Sequence, residues 1–158
     1  MNKKGFTLVE LLAVIAILAI LVIIALPNVM GMFNTAKKNS FATEVKEVYK
    51  TAQQQWMLDN MTSAATTITY KRYKNGNTIT QCHTTGGKDI DLSGRQDLLF
   101  EITFASDGSV TSYRATDGTY QYQSPSANTN LKVEDIENND IETIADSNVT
   151  EISIGACN

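Results

Sequence analysis

Leu11-Leu12-Ala13-Val14-Ile15-Ala16-Ile17-Leu18-Ala19-Ile20-Leu21-Val22-Ile23-Ile24-Ala25-Leu26 is a run of sixteen residues without one polar side chain. Phe6-Thr7-Leu8-Val9-Glu10 extends it backwards, so that Phe6 to Leu26 spans 21 residues. At about 1.5 Å per residue, a helix of that length crosses the ~30 Å hydrocarbon core of a bilayer. Only Met1-Asn2-Lys3-Lys4-Gly5 stands ahead of it. Those two lysines are expected to hold the N-terminus in the cytoplasm and send the rest of the chain outward.

Averaged over all 158 residues, the chain is 42% hydrophobic and 19% charged, as in an ordinary soluble protein. That average excludes a multi-span membrane protein, a collagen-like chain and a wholly disordered one, and the length suits one domain. A net charge of -4 argues against a general nucleic-acid binder. Two cysteines and one histidine are too few for an ordinary zinc site of cysteine and histidine. The charge is also unevenly placed. From Leu131 onward seven acids face the single Lys132, whereas residues 6–130 hold ten acids and ten bases. An acidic, solvated C-terminal face is expected.

A secretory signal peptide has a shorter apolar run followed by a small-residue cleavage site, and Pro27-Asn28-Val29 is no such site. A plain single-span anchor accounts for everything except Glu10. A carboxylate inside a span is costly and marks function by default, and the span offers it no Lys, Arg or His.

The run Lys4-Gly5-Phe6-Thr7-Leu8-Val9-Glu10-Leu11, followed by the apolar span, resembles the class III leader of type IV pilins and related pseudopilins. The likeness is close over about residues 3–30 and loose over the long-helix-plus-head layout. It implies that a prepilin peptidase cuts between Gly5 and Phe6 and that the new amino group of Phe6 is methylated. The span then stays in the mature protein, with the Phe6 amine one helical turn from Glu10. The resemblance further implies that Glu10 meets the Phe6 amine of a neighbouring subunit, a buried pair that sets register more than stability. Pro27 stands where the family has a proline, and a kink is expected there because proline lacks the helical N–H; the alternative is that it ends the helix. Many relatives carry a glycine midway between Glu and Pro, where this chain has Ala19.

Beyond Pro27, Val29, Phe33, Phe41, Val45, Val48, Ala52 and Trp56 recur at spacings of three, four and eight, which predicts a helical stripe seating a C-terminal domain. The helix signal fades near Asp59-Asn60. Strands are expected over residues 66–73 and 78–82, joined at Lys74-Asn75-Gly76-Asn77, and over 98–105, 109–115 and 119–123, joined at Asp107-Gly108 and Asp117-Gly118. Residues 124–130 read as loop, 133–146 as a short helix carrying Ile136, Ile141 and Ile144, and 150–155 as a last strand. Cys82 and Cys157 would face an oxidising exterior and are expected to pair, the alternative being two buried thiols; pilins commonly carry a disulfide near the C-terminus.

Other chemistry is weakly signalled. His83 beside Cys82 lacks a visible orienting group for nucleophilic catalysis. Asp89-Ile90-Asp91-Leu92-Ser93-Gly94 matches the opening of a calcium loop, but Phe100 stands where the bidentate Glu belongs, so Asp89, Asp91 and Ser93 form only a weak calcium candidate. Tyr70-Lys71-Arg72-Tyr73-Lys74 interleaves aromatics and bases, and a strand with alternating faces is the better reading. Sequons occur at Asn60 and Asn148.

The expected fold class is α+β: a long N-terminal helix, membrane-spanning in its first half and amphipathic in its second, packed on an antiparallel sheet. The expected division is a cleaved leader at 1–5, a transmembrane and polymerising segment at 6–27, an amphipathic helix at 28–60 and a β-rich head at 61–158. The resemblance implies a non-enzymatic pilus subunit without cofactor, serving adhesion, motility or DNA uptake. Its implied partners are further copies of itself, the prepilin peptidase, a membrane assembly platform with its ATPases, and lipid before assembly; no specific nucleic acid is expected. The implied location is the cytoplasmic membrane, head outside, and then the extracellular pilus. A pseudopilin of a secretion or competence machine and a membrane-anchored binding module are the alternatives.

Overall fold

The computed structural model describes residues 5–62, 67–92, 97–125, 130–146 and 149–156. Contacts divide the chain into two units, Met1–Lys37 and Lys38–Asn158. In the first unit, helix α1 (Leu8–Thr62) begins and holds Pro27 in its interior. Its large apolar side chains from Leu8 to Phe33 are all exposed. This is the one helix among the described residues long and apolar enough to cross a membrane. Pro27 cannot donate to the carbonyl four residues back, so one rung of the helical ladder is missing there.

In the second unit α1 becomes one-sided. Phe41, Ala42, Val45, Val48, Tyr49, Ala52 and Trp56 are buried, at the three- and four-residue spacings of one helical face. Val29 and Phe33, expected on the same stripe, are exposed at 44% and 62%. Every residue from Val29 to Lys37 is exposed, whichever side of the helix it occupies, so their exposure does not depend on helical phase; full burial along α1 starts at Phe41.

That face packs on a six-stranded antiparallel sheet in the order β2-β1-β3-β4-β5-β6. The strands are β1 (Ile68–Asn75), β2 (Thr78–His83), β3 (Leu99–Phe104), β4 (Val110–Thr116), β5 (Tyr120–Gln123) and β6 (Ile141–Thr143). Register places Tyr70 opposite Ile102, Ile102 opposite Tyr113, and Ala115 opposite Tyr122, so these side chains share the core face. Tyr113 donates its hydroxyl to the Val45 carbonyl at 2.7 Å, and Tyr49 to that of Leu131 at 2.6 Å, which satisfies two buried phenols against the helix and a loop. Together these make the α+β fold expected, as in pilins.

Two local expectations are corrected. Residues 133–146 hold no α-helix: two 3₁₀ turns, Val133–Asp135 and Asn138–Asp140, precede β6. Asp135 and Asp140 each accept from a backbone N–H three residues earlier, Lys132 at 2.9 Å and Glu137 at 2.8 Å. Such short carboxylate bonds compete with a continuous helix. Nor is 150–155 a strand. Gln121, 2% exposed, holds this segment through its side chain, donating to the Thr150 carbonyl and accepting from the Ile152 N–H. In a strand Gln121 points away from Tyr120 and Tyr122, so 150–154 covers the face that α1 leaves open and buries Ile152 and Ile154.

Candidate assembly and processing site

Gly5 and Phe6 are exposed and precede the helix, Phe6 by 83%. Among the described residues nothing lies within 4 Å of the place a Gly5 side chain would occupy. Thr7 then caps α1. Its backbone N–H and its hydroxyl both donate to Glu10 Oε2, at 2.9 and 2.8 Å, while Thr7 Oγ1 accepts from the Glu10 N–H at 3.3 Å. The first helical bond runs from the Leu11 N–H to the Thr7 carbonyl at 3.2 Å. This is a capping box, in which two otherwise orphaned donors are satisfied reciprocally. Glu10 therefore sits where the positive end of the helix dipole favours an anion.

Sequence reasoning placed Phe6 and Glu10 but missed Thr7. The Thr-x-x-Glu spacing ahead of an apolar run is the signal that points to it.

The other candidate residues are dispersed. Cys82 lies in β2 opposite Lys71, and Cys157 lies outside the described residues. Cys82 and His83 are consecutive in a strand, so their side chains leave opposite faces, which does not assemble a nucleophile pair. His83 Nε2 stands 3.9 Å from Asp89 Oδ1. Asp89 and Asp91 are exposed, and Ser93 lies outside the described residues. Among the described residues no group of three or more His, Cys, Asp or Glu side chains is arranged to hold a metal. Of the two sequons, Asn60 lies near the end of α1, and Asn148 lies outside the described residues.

The basic-aromatic run in β1 divides by face. Tyr70 and Arg72 are buried, and Lys71 alternates with them to meet Glu101 at 3.2 Å. Arg114 joins the same carboxylate from β4. Lys71, Glu101 and Arg114 are cross-strand neighbours in register, the two cations sharing one carboxylate.

A second carboxylate organises the end of α1. Asp59, 1% exposed, accepts from the Tyr70 hydroxyl at 2.8 Å, from the Lys88 N–H at 3.0 Å and from Gln55 Nε2 at 2.9 Å. It ties the helix to β1 and to the loop after β2. Burial, and then the bond to Asp59, push the Tyr70 phenol well above its usual range.

No curated protein and no solved structure matches the chain significantly. Residues 1–26 match the family model of the prokaryotic N-terminal methylation motif. The chain thus carries at its N-terminus the class III leader of type IV pilins, the mark of a pilin-like or pseudopilin precursor.

Proposed function

We propose that this chain is a structural subunit of a type IV pilus, cut between Gly5 and Phe6, methylated on the Phe6 amine and polymerised through α1. One observation carries the reading. An exposed Gly5-Phe6 step stands directly before a capped helix whose large apolar side chains from Leu8 to Phe33 are exposed among the described residues. Cleavage there removes both leader lysines and leaves the span in the mature protein. In the membrane the chain waits as a single-pass protein with its head outside. In the filament, the carboxylate of Glu10 pairs with the Phe6 amine of the next subunit and selects the stagger between copies. Pro27, inside the helix, bends the stalk where the uniformly apolar half gives way to the amphipathic half.

The head faces outward and its work is mechanical and adhesive, powered by partner ATPases. Pairing of Cys82 with Cys157 pins the acidic end of the chain to β2. Closing that loop contributes up to roughly 4–5 kcal/mol on the chain-entropy model.

Mass spectrometry of the mature N-terminus, combined with electron microscopy of shed filaments, tests the reading. The expected result is a chain beginning at a methylated Phe6 that forms the bulk of the filament mass. An uncut N-terminus refutes it in favour of a membrane-anchored module. A processed chain confined to the envelope replaces the pilus with a pseudopilin role.

A further inference from the structure

Val29, Met30, Met32 and Phe33 lie beyond the 21-residue span, yet among the described residues nothing covers them; Met32 is 73% exposed. At ~100° per residue, Met32, Ala36, Val29, Phe33 and Met30 share an arc of about 160°. Gly31, Asn34, Thr35 and Lys38 occupy the other side, and the Thr35 hydroxyl donates to the Gly31 carbonyl at 3.0 Å. The all-round apolar helix thus turns amphipathic just after Pro27. Its apolar arc continues the span and ends at Lys37, with Lys38 next on the other side.

Length points to the occupant. Leu8–Phe33 is 26 apolar-rich residues, about 39 Å of helix against a ~30 Å hydrocarbon core. The excess belongs in the interfacial layer, where amphipathic basic helices lie. Lysines there lay their aliphatic stems on the acyl boundary and reach anionic headgroups with their ammonium groups.

We propose that residues 29–38 form an interfacial segment that binds the surface of an anionic bilayer. Val29, Met32 and Phe33 enter the headgroup–acyl boundary, and Lys37 and Lys38 meet anionic headgroups. The proposal rests on the membrane-anchored reading above and adds to it a lipid preference and a deeper outer boundary. The membrane edge falls near Lys37, ten residues past Pro27.

The test is depth-resolved quenching of L18W and F33W, each in the full chain, in phosphatidylcholine vesicles with and without phosphatidylglycerol. The lipids carry bromine either near the glycerol end or at the middle of the acyl chains. Trp56, the native tryptophan, is buried in the head and supplies the baseline. The expected result is L18W quenched by mid-chain bromine and F33W by glycerol-proximal bromine. Quenching of F33W should be roughly two-fold or more stronger with phosphatidylglycerol, and the K37E/K38E double variant should abolish that difference. F33W unquenched while L18W is quenched overturns the proposal and leaves the anchor standing. F33W shielded from water yet unquenched also overturns it, because a second copy then covers the face. L18W unquenched removes the membrane-anchored reading itself.

Discussion

Gly108 sits in the Asp107-Gly108 turn between β3 and β4 with φ +84°, directly beneath the ring of Trp56. A Cβ there would lie 2.7 Å from Trp56 Cζ3 and 2.8 Å from Cη2. The indole has little room to retreat, because it is buried and stacks on Phe104 with ring centroids 6.0 Å apart. Gly108→Ala therefore meets two penalties. A side chain at left-handed φ costs about 1–2 kcal/mol, and overpacking against a fixed core ring costs about 1–3 kcal/mol more. Gly118 isolates the first. It has nearly the same φ, +82°, and nothing within 4 Å of the place its Cβ would occupy. Urea unfolding followed by Trp56 fluorescence should give a small loss for Gly118→Ala and a loss about 1–3 kcal/mol larger for Gly108→Ala. For a domain of this size the extra loss lowers the midpoint by on the order of 1 M. Shrinking the indole, as in Trp56→Leu, should cancel most of that difference, read in this case by circular dichroism. Equal losses at the two glycines would refute the steric reasoning.

Gln121→Leu strands the Ile152 N–H and the Thr150 carbonyl, and should cost about 2–4 kcal/mol; hydrogen exchange should rise first in residues 150–154, and unchanged protection there would count against the clamp. Glu10→Val should leave leader cleavage largely intact while sharply reducing filaments, and normal filaments from that variant would dismiss the register role. Thr7→Val removes the hydroxyl but keeps the backbone donor, so helix onset should fray within its first turn, measurable as amide exchange at Val9 and Glu10 in detergent. Tyr49, Tyr70, Tyr113 and Tyr122 all have phenols raised mainly by burial. The folded state keeps protons that the unfolded chain releases, so this contribution is intact below pH ~10 and is lost as pH climbs toward the raised folded values. The urea midpoint should fall steeply above that pH, and a flat profile to pH ~11 would contradict the burial of these hydroxyls.

Elements whose cause is local were legible in the sequence. The apolar run, the two Asp-Gly turns and the alternation in β1 each rest on side chains within a few residues of one another. Asp107 and Asp117 close their own turns by accepting from N–H groups two and three residues on. Where competition is decided at a distance, local pattern misleads. Ile136, Ile141 and Ile144 have a helical look, yet Asp135 and Asp140 fold back on their own turns, and β6 then pairs with β5. Ile152 and Ile154 have strand alternation, but the partner of the Ile152 N–H is the side chain of Gln121, 31 residues earlier.

For the candidate site the division is similar. The Gly5-Phe6 step, the span and Glu10 follow from sequence alone, because transfer from water to lipid is set by composition and length and needs no partner. The Thr7–Glu10 cap was equally local and legible, though only its carboxylate was read. What tertiary structure alone decided is which residues leave the stripe. Val29 and Phe33 match its spacing on paper, but a stripe is buried only where the sheet packs on it, and full burial along α1 starts at Phe41, with every residue from Val29 to Lys37 exposed. It also decided the buried links of Asp59 to Tyr70 and Lys88, and of Tyr113 to the Val45 carbonyl. Those bonds join segments whose proximity arises only when the sheet closes on the helix, since a polar group is buried only where a partner arrives with it.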